Sequence, residues 1–509
     1  MRRNAALHLG TWLLAGTIAA GCGGNTAAPR AVHFQWCAAH AQPAFDPDGP
    51  PDPLRVALER LLSRGLVGRD STGHIVLDAA DSTWTSADGR TVTLRLRPDL
   101  RFTDGTPVTS GDFRTALLAG LGRDDHATRA WLLAPVAGVD RVRAGRPLPA
   151  VGLESPDVRT LVLRLSRPDP GLLARLASPG VGAPFKRRAG IGWDAAIGIG
   201  PYRVLAADAV RGLTFARLPG VHGAAGAGDT VSVRFVIGGP RVRALLRHHA
   251  VDLVWPLPPA LGDEPLPDGY AAGERAAQPP RRLLLVLRAD VPPTTKLPAR
   301  HALAHALNRE ALLAALGLRA AGQDGWLDGG GAFDHARLDA GEVRQWLARG
   351  HLGASFHVVL AYDADGTGGA VARALQGQWS ALGLYAELRP LRGPQAAAEP
   401  LHAAAAQAQL VETQAPLPGA AAELATLVMP LRGPAIGSVR TGWRTREFDH
   451  WIGGADPPEP LDAAAAQARL AEERVVLPLA KLPWRWLART GAPPLVRFSP
   501  AYGPDFTGH

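Results

Sequence analysis

The segment Trp84–Phe113 constrains the fold most, because three local signals follow one another within it. Asp88-Gly89 predicts a hairpin turn, since glycine adopts the positive φ that such a turn requires. Apolar and polar residues then alternate in T-V-T-L-R-L-R, which predicts a strand with one buried face. Thr109 with Asp112 three residues later forms a capping-box pattern with Asp in place of Glu or Gln, and predicts the start of a helix. The sequence therefore predicts a hairpin that leads into a capped helix.

The net charge of +9 does not indicate a nucleic-acid partner, because the basic residues are spread along the chain. Only three of the 55 basic residues are lysines, and no basic run is interleaved with aromatic residues. A hydrophobic fraction of 46% with 20% charged residues is typical of a soluble globular protein. A length of 509 residues exceeds a single core and predicts two or three subdomains.

The motifs of common enzyme classes are absent from the sequence, which contains no G-x-S-x-G elbow, P-loop or HExxH pattern. His301 and His305 have the i, i+4 spacing of helical metal ligands. No Glu follows His301, however, and the sequence suggests no third ligand, so two polar residues on the surface of a helix are the favoured interpretation. We expect no enzyme activity and no metal or other cofactor. A hydrolase without a recognisable motif is the alternative left open.

The start of the chain combines a basic M-R-R with a short apolar run, Leu7–Ala20, that ends in I-A-A-G-C at Cys22. The run is too short for a typical membrane span, and small residues before the Cys resemble a bacterial lipoprotein signal. We expect a signal peptide over 1–21, a lipid on Cys22 and a flexible tether over 22–30. A secretory signal cleaved nearby is the alternative. With Cys22 lipidated, Cys37 has no disulfide partner.

The segment described first also carries a family resemblance. Its tryptophan, its S-A-D-G turn, its T-x-T-L-x-L-R strand and the run F-x-D-G-T-P-V-T-x-x-D-F over 102–113 resemble the signature of family 5 of the extracellular solute-binding proteins. These are the peptide- and nickel-type receptors of bacterial ABC importers. Phe45-Asp46-Pro47, Gly200-Pro201-Tyr202 and the helical segment 300–316 also fit the family pattern, so the resemblance covers most of the chain.

The resemblance implies an α/β protein with the periplasmic-binding-protein-like two-lobe fold (type II, cluster C) and an additional subdomain. Gly200-Pro201-Tyr202 matches the turn where the chain returns to the first lobe. The implied boundaries are 31–50, 191–275 and 475–509 for lobe I, 51–190 for its additional subdomain, and 276–474 for lobe II.

The resemblance also implies a function. The chain would be an extracytoplasmic, lipid-anchored receptor that encloses a peptide or similar small solute between two hinged lobes and delivers it to the permease of an ABC importer. We expect a monomer attached to the membrane through its lipid. A sensor or surface protein that uses the same fold without transport is the alternative.

One candidate ligand-binding position follows from the resemblance in L-V-E-T-Q-A-P, residues 410–416. Peptide receptors of the family place an acid after a strand, shortly before a Pro, where it pairs with the α-ammonium of the ligand. If Pro416 matches that Pro, Glu412 takes the place of the acid; if Pro418 matches it, Gln414 does. A carboxylate suits this task, because an enclosed ammonium must be paired to offset its desolvation. The alternative is a surface glutamate beside a loop.

Overall fold

The computed structural model describes most of the chain between Val32 and Asp505. The described residues are 32–40, 42–47, 52–70, 72–119, 121, 131–139, 141, 151–178, 181–187, 192–219, 229–257, 261, 265–314, 326–327, 333, 335, 337–353, 356–364, 368–391, 406–415, 417, 419–427, 441–443, 462–491, 497–499 and 503–505. The predicted signal, Cys22 and the tether lie outside this set, as do Pro416 and Pro418. Within it, no helix has the length and apolar character needed to cross a membrane.

The described part of the chain contains both strands and helices. The strands are β1 His33–Ala38, β2 Val67–Arg69, β3 Ile75–Leu77, β4 Ala80–Thr85, β5 Thr91–Leu96, β6 Leu153–Glu154, β7 Thr160–Arg164, β8 Lys186–Arg187, β9 Ala196–Ile197, β10 Tyr202–Asp208, β11 Gly212–Arg217, β12 Thr230–Phe235, β13 Leu253–Val254, β14 Tyr270–Arg275, β15 Arg281–Leu287, β16 His357–Asp363, β17 Tyr385–Leu391, β18 Ala408–Gln414, β19 Val476–Leu482, β20 Trp484–Arg489, β21 Arg497–Ser499 and β22 Gly503–Asp505. The helices are α1 Pro53–Leu62, α2 Ser110–Leu118, α3 Leu172–Leu176, α4 Gly239–Arg247, α5 Leu297–His305, α6 Arg309–Ala314, α7 Ala340–Arg349, α8 Gly368–Ala381, α9 Ala420–Ala425 and α10 Ala463–Glu473.

Lobe I is built on a seven-stranded sheet with the order β10-β11-β12-β1-β13-β20-β14. Its centre is parallel, since β1 lies between β12 and β13 and runs in the same direction as both. Strand β12, helix α4 and strand β13 form a strand–helix–strand unit, and both of its strands pair with β1. Buried aromatic residues such as Trp36, Tyr202 and Phe215 fill the core of this lobe.

Lobe II is built on a five-stranded sheet with the order β17-β16-β18-β15-β19. The interior strand β15, between β18 and β19, is fully apolar from Leu283 to Leu287, as expected for a strand covered on both faces. One face packs against residues of α5, α6 and α8, including Leu303, Leu312 and Trp379.

The additional subdomain confirms the local predictions made for Trp84–Phe113. Strands β4 and β5 form an antiparallel hairpin, and Gly89 has a φ of +68° in its turn. Thr109 and Asp112 form the capping box at the start of α2, where the amide of Thr109 donates to the Asp112 carboxylate over 2.8 Å. The hairpin joins β7 and β6 in a four-stranded sheet.

Two of the predicted domain boundaries differ from the structure. The segment 475–509 was expected wholly in lobe I, but β19 pairs with β15 in the sheet of lobe II, so the chain returns to lobe I only after Leu482. Helix α1 was expected in the additional subdomain, but its apolar side chains pack into the core of lobe I. The cause is the apolar face of α1, of which Leu58 is fully buried there. The remaining boundaries stay a proposal.

The predicted helix over 300–316 is interrupted in the structure. Helix α5 ends at His305, and α6 begins at Arg309. Between them, the side chain of Asn308 accepts a hydrogen bond from the amide of Ala311 over 3.0 Å. The Gln378 amide holds the backbone of Asn308 from both sides, accepting from its N–H and donating to its carbonyl. Asn308 therefore caps a new helix instead of continuing the first, as asparagine favours.

Candidate functional site

The two lobes are joined by two chain segments that lie side by side. The first consists of residues 276–280 between β14 and β15, and the second is Pro483 alone, between β19 and β20. Strands β15 and β19 are antiparallel neighbours, and Arg281 lies opposite Leu482 in their register. Both segments therefore cross between the lobes at the same place, as expected for a hinge.

The parallel strands of both sheets end towards this hinge. In lobe II, β16 runs parallel to β17 and β18, and all three end at the edge where β15 begins. In lobe I, β20 is antiparallel to β13 and β14, so β13 and β14 end at the edge where β20 begins. Open α/β sheets bind ligands outside the carboxyl ends of their strands. The crevice between these two edges is therefore the candidate site.

Glu412 and Gln414 lie at the carboxyl end of β18, on this edge. The strand after which the resemblance placed an acid is therefore confirmed, although Glu412 lies within it and not beyond it. Residues two apart on a strand share a face, so both side chains lie on the same face as Arg281, which is opposite Gln414 in the register. The structure thus brings both candidates together at the hinge.

The Glu412 carboxylate is paired with the guanidinium of Arg281. Nη2 of Arg281 lies 2.8 Å from Oε2 of Glu412 and donates a hydrogen bond to it. The Arg281 side chain is 17% exposed and that of Glu412 is 32% exposed. The pair is therefore partly shielded from water but still reachable from the crevice.

Arg281 also contacts the second segment between the lobes. Its Nη1 donates to the carbonyl oxygen of Pro483 over 3.2 Å, and its guanidinium carbon lies 4.3 Å from the centroid of the Trp484 ring. Gln414 contacts the first segment, where its Nε2 donates to the carbonyl oxygen of Pro279 over 2.7 Å. We call these six residues the hinge cluster: Pro279, Arg281, Glu412, Gln414, Pro483 and Trp484.

Burial and nearby negative charge shift the pKa of Arg281 in opposite directions. Burial lowers the pKa of its guanidinium from the ordinary value, while the carboxylates of Glu412 and Asp52 raise it. Asp52 is the N-cap residue of α1 in lobe I, where its carboxylate accepts from the amide of Arg55. The charge on Arg281 is therefore stabilised by an acid from each lobe.

An aromatic group lies below the hinge cluster in lobe I. The ring of Trp255 lies 5.6 Å from that of Trp484 and 5.8 Å from that of Trp36, centroid to centroid. The indole N–H of Trp36 donates to the carbonyl oxygen of Trp255 over 2.6 Å. All three side chains are at most 2% exposed, so they form a rigid support for the hinge.

Sequence reasoning missed Arg281 and Trp484 as parts of the site. The apolar run of β15 begins at Leu283, so the hydrophobic pattern by itself does not include Arg281 in the strand. An available signal was the R-R pair at 281–282, since two consecutive residues of a strand point to opposite faces. The other arginine, Arg282, is buried inside lobe II against Glu423.

Each histidine of α5 contacts the carbonyl oxygen of a residue outside the helix. Nε2 of His301 lies 3.0 Å from the carbonyl oxygen of Glu472, and Nδ1 of His305 lies 3.1 Å from that of Arg337. Across the described parts of the chain, no group of three or more His, Cys, Asp or Glu side chains is placed to hold a metal ion.

Comparison with known proteins agrees with this two-lobed geometry. A family model described as "Bacterial extracellular solute-binding proteins, family 5 Middle" matches residues 74–420, which is more than half of the chain. The chain belongs to this family. The family membership that the resemblance implied is thereby confirmed.

The family 5 relatives include the periplasmic oligopeptide-binding protein OppA of Escherichia coli K12. The two sequences are 32% identical over 125 residues, which are 24% of this chain and only 23% of that protein. The sequence match therefore spans less than a quarter of the relative's length.

Solved structures match nearly the whole chain. Haemophilus influenzae OppA in a complex with the peptide RPPGFSPFR has a TM-score of 0.78 at 18% identity and covers 94% of this chain and 98% of its own. The binding protein AgaA of Agrobacterium tumefaciens in a complex with agropinic acid has a TM-score of 0.73 at 18% identity, with coverages of 94% and 96%. These matches show that this family 5 protein has the type II periplasmic-binding fold.

Proposed function

We propose that this protein is an extracytoplasmic receptor that encloses a peptide or similar small solute between its lobes and delivers it to an ABC importer. The observation that carries the proposal is the hinge: two sheets present the carboxyl ends of parallel strands to one crevice and are joined by residues 276–280 and Pro483 alone. Bending at two adjacent segments closes such a crevice over a ligand.

The similar proteins support this class of ligand. OppA of E. coli is named for oligopeptide binding, and OppA of H. influenzae was solved with a nine-residue peptide. AgaA was solved with agropinic acid, so the same fold also holds a small organic acid. Glu412 and Gln414 are proposed as ligand-site residues, because they lie at the crevice edge of lobe II and contact the hinge.

The receptor acts by binding and not by catalysis. Within the described residues, the crevice edge offers a carboxylate paired with an arginine, and no group of metal ligands. A solute held there gains affinity as closure removes bulk water, and it is released unchanged when the lobes open. Peptides recovered after incubation should therefore have their original masses.

Two measurements test the proposal. Mass spectrometry of solute released on denaturing the purified protein should identify a bound peptide or small molecule. Small-angle scattering should show a smaller radius of gyration when a pool of random tripeptides is added to protein that was unfolded, dialysed and refolded. An unchanged radius of gyration at saturating peptide, together with no released solute, would contradict the proposed receptor function.

Attachment to the envelope is a further part of the proposal. The protein is exported as a monomer by its signal, and lipid on Cys22 anchors it to a membrane through the tether 22–30. Metabolic labelling with a palmitate analogue should tag the wild type and Cys37→Ser but not Cys22→Ser. Cys37 is the matched control, because it is fully buried in β1 and burial raises the pKa of its thiol to about 12. Equal labelling of Cys22→Ser would contradict the anchor.

A further inference from the structure

The guanidinium of Arg281 lies where a ligand ammonium would have to pair with Glu412. We propose that the guanidinium of Arg281 occupies the position of that ammonium. The receptor then selects solutes whose terminus next to Glu412 carries no free ammonium, such as N-acylated peptides. The inference rests on the proposed function and names its ligand class.

Three separate contacts hold Arg281 in this position. Its two terminal nitrogens bond to different segments, one to Glu412 on β18 and the other to the carbonyl oxygen of Pro483. The flat face of the guanidinium lies over Trp484, which is itself 2% exposed. A planar group fixed at both ends and on one face is pre-organised, so little entropy is lost in forming the pair.

The energetics disfavour exchange of Arg281 for a ligand ammonium. An ammonium that took Glu412 would leave Arg281 without its close carboxylate in a place where its side chain is only 17% exposed. Burial already lowers the pKa of this guanidinium, and the charge of Glu412 makes the largest contribution in the opposite direction. Separating the pair also adds one positive charge to the crevice, and an unpaired charge in a shielded site is costly.

An uncharged N–H does not meet this obstacle. The Glu412 side chain is 32% exposed, and a carboxylate oxygen accepts more than one hydrogen bond. The amide N–H of an N-acylated peptide can therefore donate to Glu412 while Arg281 stays in place. The pair then acts as a neutral, polar recognition group that rejects a second cation.

Competition between two peptide pools tests the inference. Random tripeptides with free amino termini and the same pool after N-acetylation are mixed in equal amounts, and native mass spectrometry measures the ratio retained. Wild type should retain the acetylated pool at least as well as the free pool. Arg281→Gln should shift the ratio towards free amines by about tenfold, since each tenfold is about 1.4 kcal/mol of new charge pairing.

Further variants separate charge from structure. Arg281→Gln with Glu412→Gln should return the ratio to that of wild type, because the carboxylate that attracts the amine is gone. Arg281→Lys, which keeps the charge, should also retain the wild-type ratio. Arg389→Gln is the matched control, since Arg389 pairs with Glu387 at the surface of the edge strand β17, two strands away from β18, and it should change nothing.

If the variants do not fold, the ratio of acetylated to free peptides that the wild type retains still tests the inference. A preference of wild type for free amines over the acetylated pool would overturn the inference and leave the proposed receptor function intact. Retention of neither pool, with no closure in scattering, would overturn both.

Discussion

Arg281 and Arg282 are consecutive residues of β15, and each is paired with a glutamate, but in different surroundings. Arg282 and Glu423 lie inside lobe II, with side chains 6% and 3% exposed. Arg281 and Glu412 lie at the hinge, with side chains 17% and 32% exposed. The alternation of side chains along a strand sends one arginine into a core and its neighbour to the crevice.

The difference shows that burial, rather than the residue types, decides what an arginine–glutamate pair does. Removing one member of a buried pair leaves an uncompensated charge in the interior, so such a pair fixes its lobe. Water and ligands can reach the pair at the hinge, so its loss changes recognition more than stability. Four predictions test this distinction.

The largest effect is expected from Glu423→Gln. Arg282 would keep its charge inside lobe II without a carboxylate, and we expect a loss of about 3–5 kcal/mol in the free energy of unfolding. Urea denaturation measures it, with the surface variant Glu387→Gln as control, where the change should stay below about 0.5 kcal/mol. A loss below about 1 kcal/mol for Glu423→Gln would mean that the two pairs do not differ as described.

Replacing both members of the buried pair should undo most of that loss. Arg282→Met with Glu423→Leu removes both charges, and apolar residues of similar volume often substitute for a buried ion pair without net cost. We expect the double variant to be more stable than Glu423→Gln by about 3 kcal/mol. A double variant as unstable as the single one would assign the loss to packing instead of charge.

Between pH 7.5 and 4.5, His301 should contribute to the acid sensitivity of lobe II. Burial, with a smaller contribution from the charge of Arg474, lowers the pKa of His301 from 6.5 to about 4, so the folded protein holds it neutral. The unfolded chain binds the proton first, so stability is lost as the pH falls from 6.5 to 4.

Partial exposure reduces that loss to about 1–2 kcal/mol. Urea midpoints measured from pH 7.5 to 4.5 should fall less in His301→Gln than in wild type, while His357→Gln on the surface should behave like wild type. A fall of equal size in His301→Gln would exclude this histidine.

The smallest effect on stability is expected at the hinge. A double-mutant cycle of Arg281→Gln and Glu412→Gln should give a coupling free energy of about 1 kcal/mol or less, because the pair is partly solvated. A coupling free energy above about 3 kcal/mol would mean that the Arg281–Glu412 pair stabilises the fold as much as the buried Arg282–Glu423 pair does, and would contradict the distinction between them.

Local signals were readable from the sequence wherever the partners are close in the chain. The Asp88-Gly89 turn and the capping box of Thr109 and Asp112 were predicted because each joins residues at most a few positions apart. The break at Asn308 was missed, because the residue that holds it, Gln378, lies 70 positions away.

The pairing of Arg281 with Glu412 was unpredictable for the same reason. Arg281 and Glu412 are 131 positions apart, and only the register of β15 with β18 brings them together. A single sequence shows neither that register nor which of two adjacent arginines faces the crevice. The family resemblance located the acid, but nothing in it indicated that the chain supplies its own cation.

The place of β20 in the lobe I sheet has a consequence for biosynthesis. This strand lies between β13 and β14, although almost the whole of lobe II is translated before it. Among the described strands, β14 pairs with β20 alone, so it lacks this partner until Trp484–Arg489 leaves the ribosome. The sheet of lobe I, the first lobe to be made, is therefore completed only after lobe II has been translated.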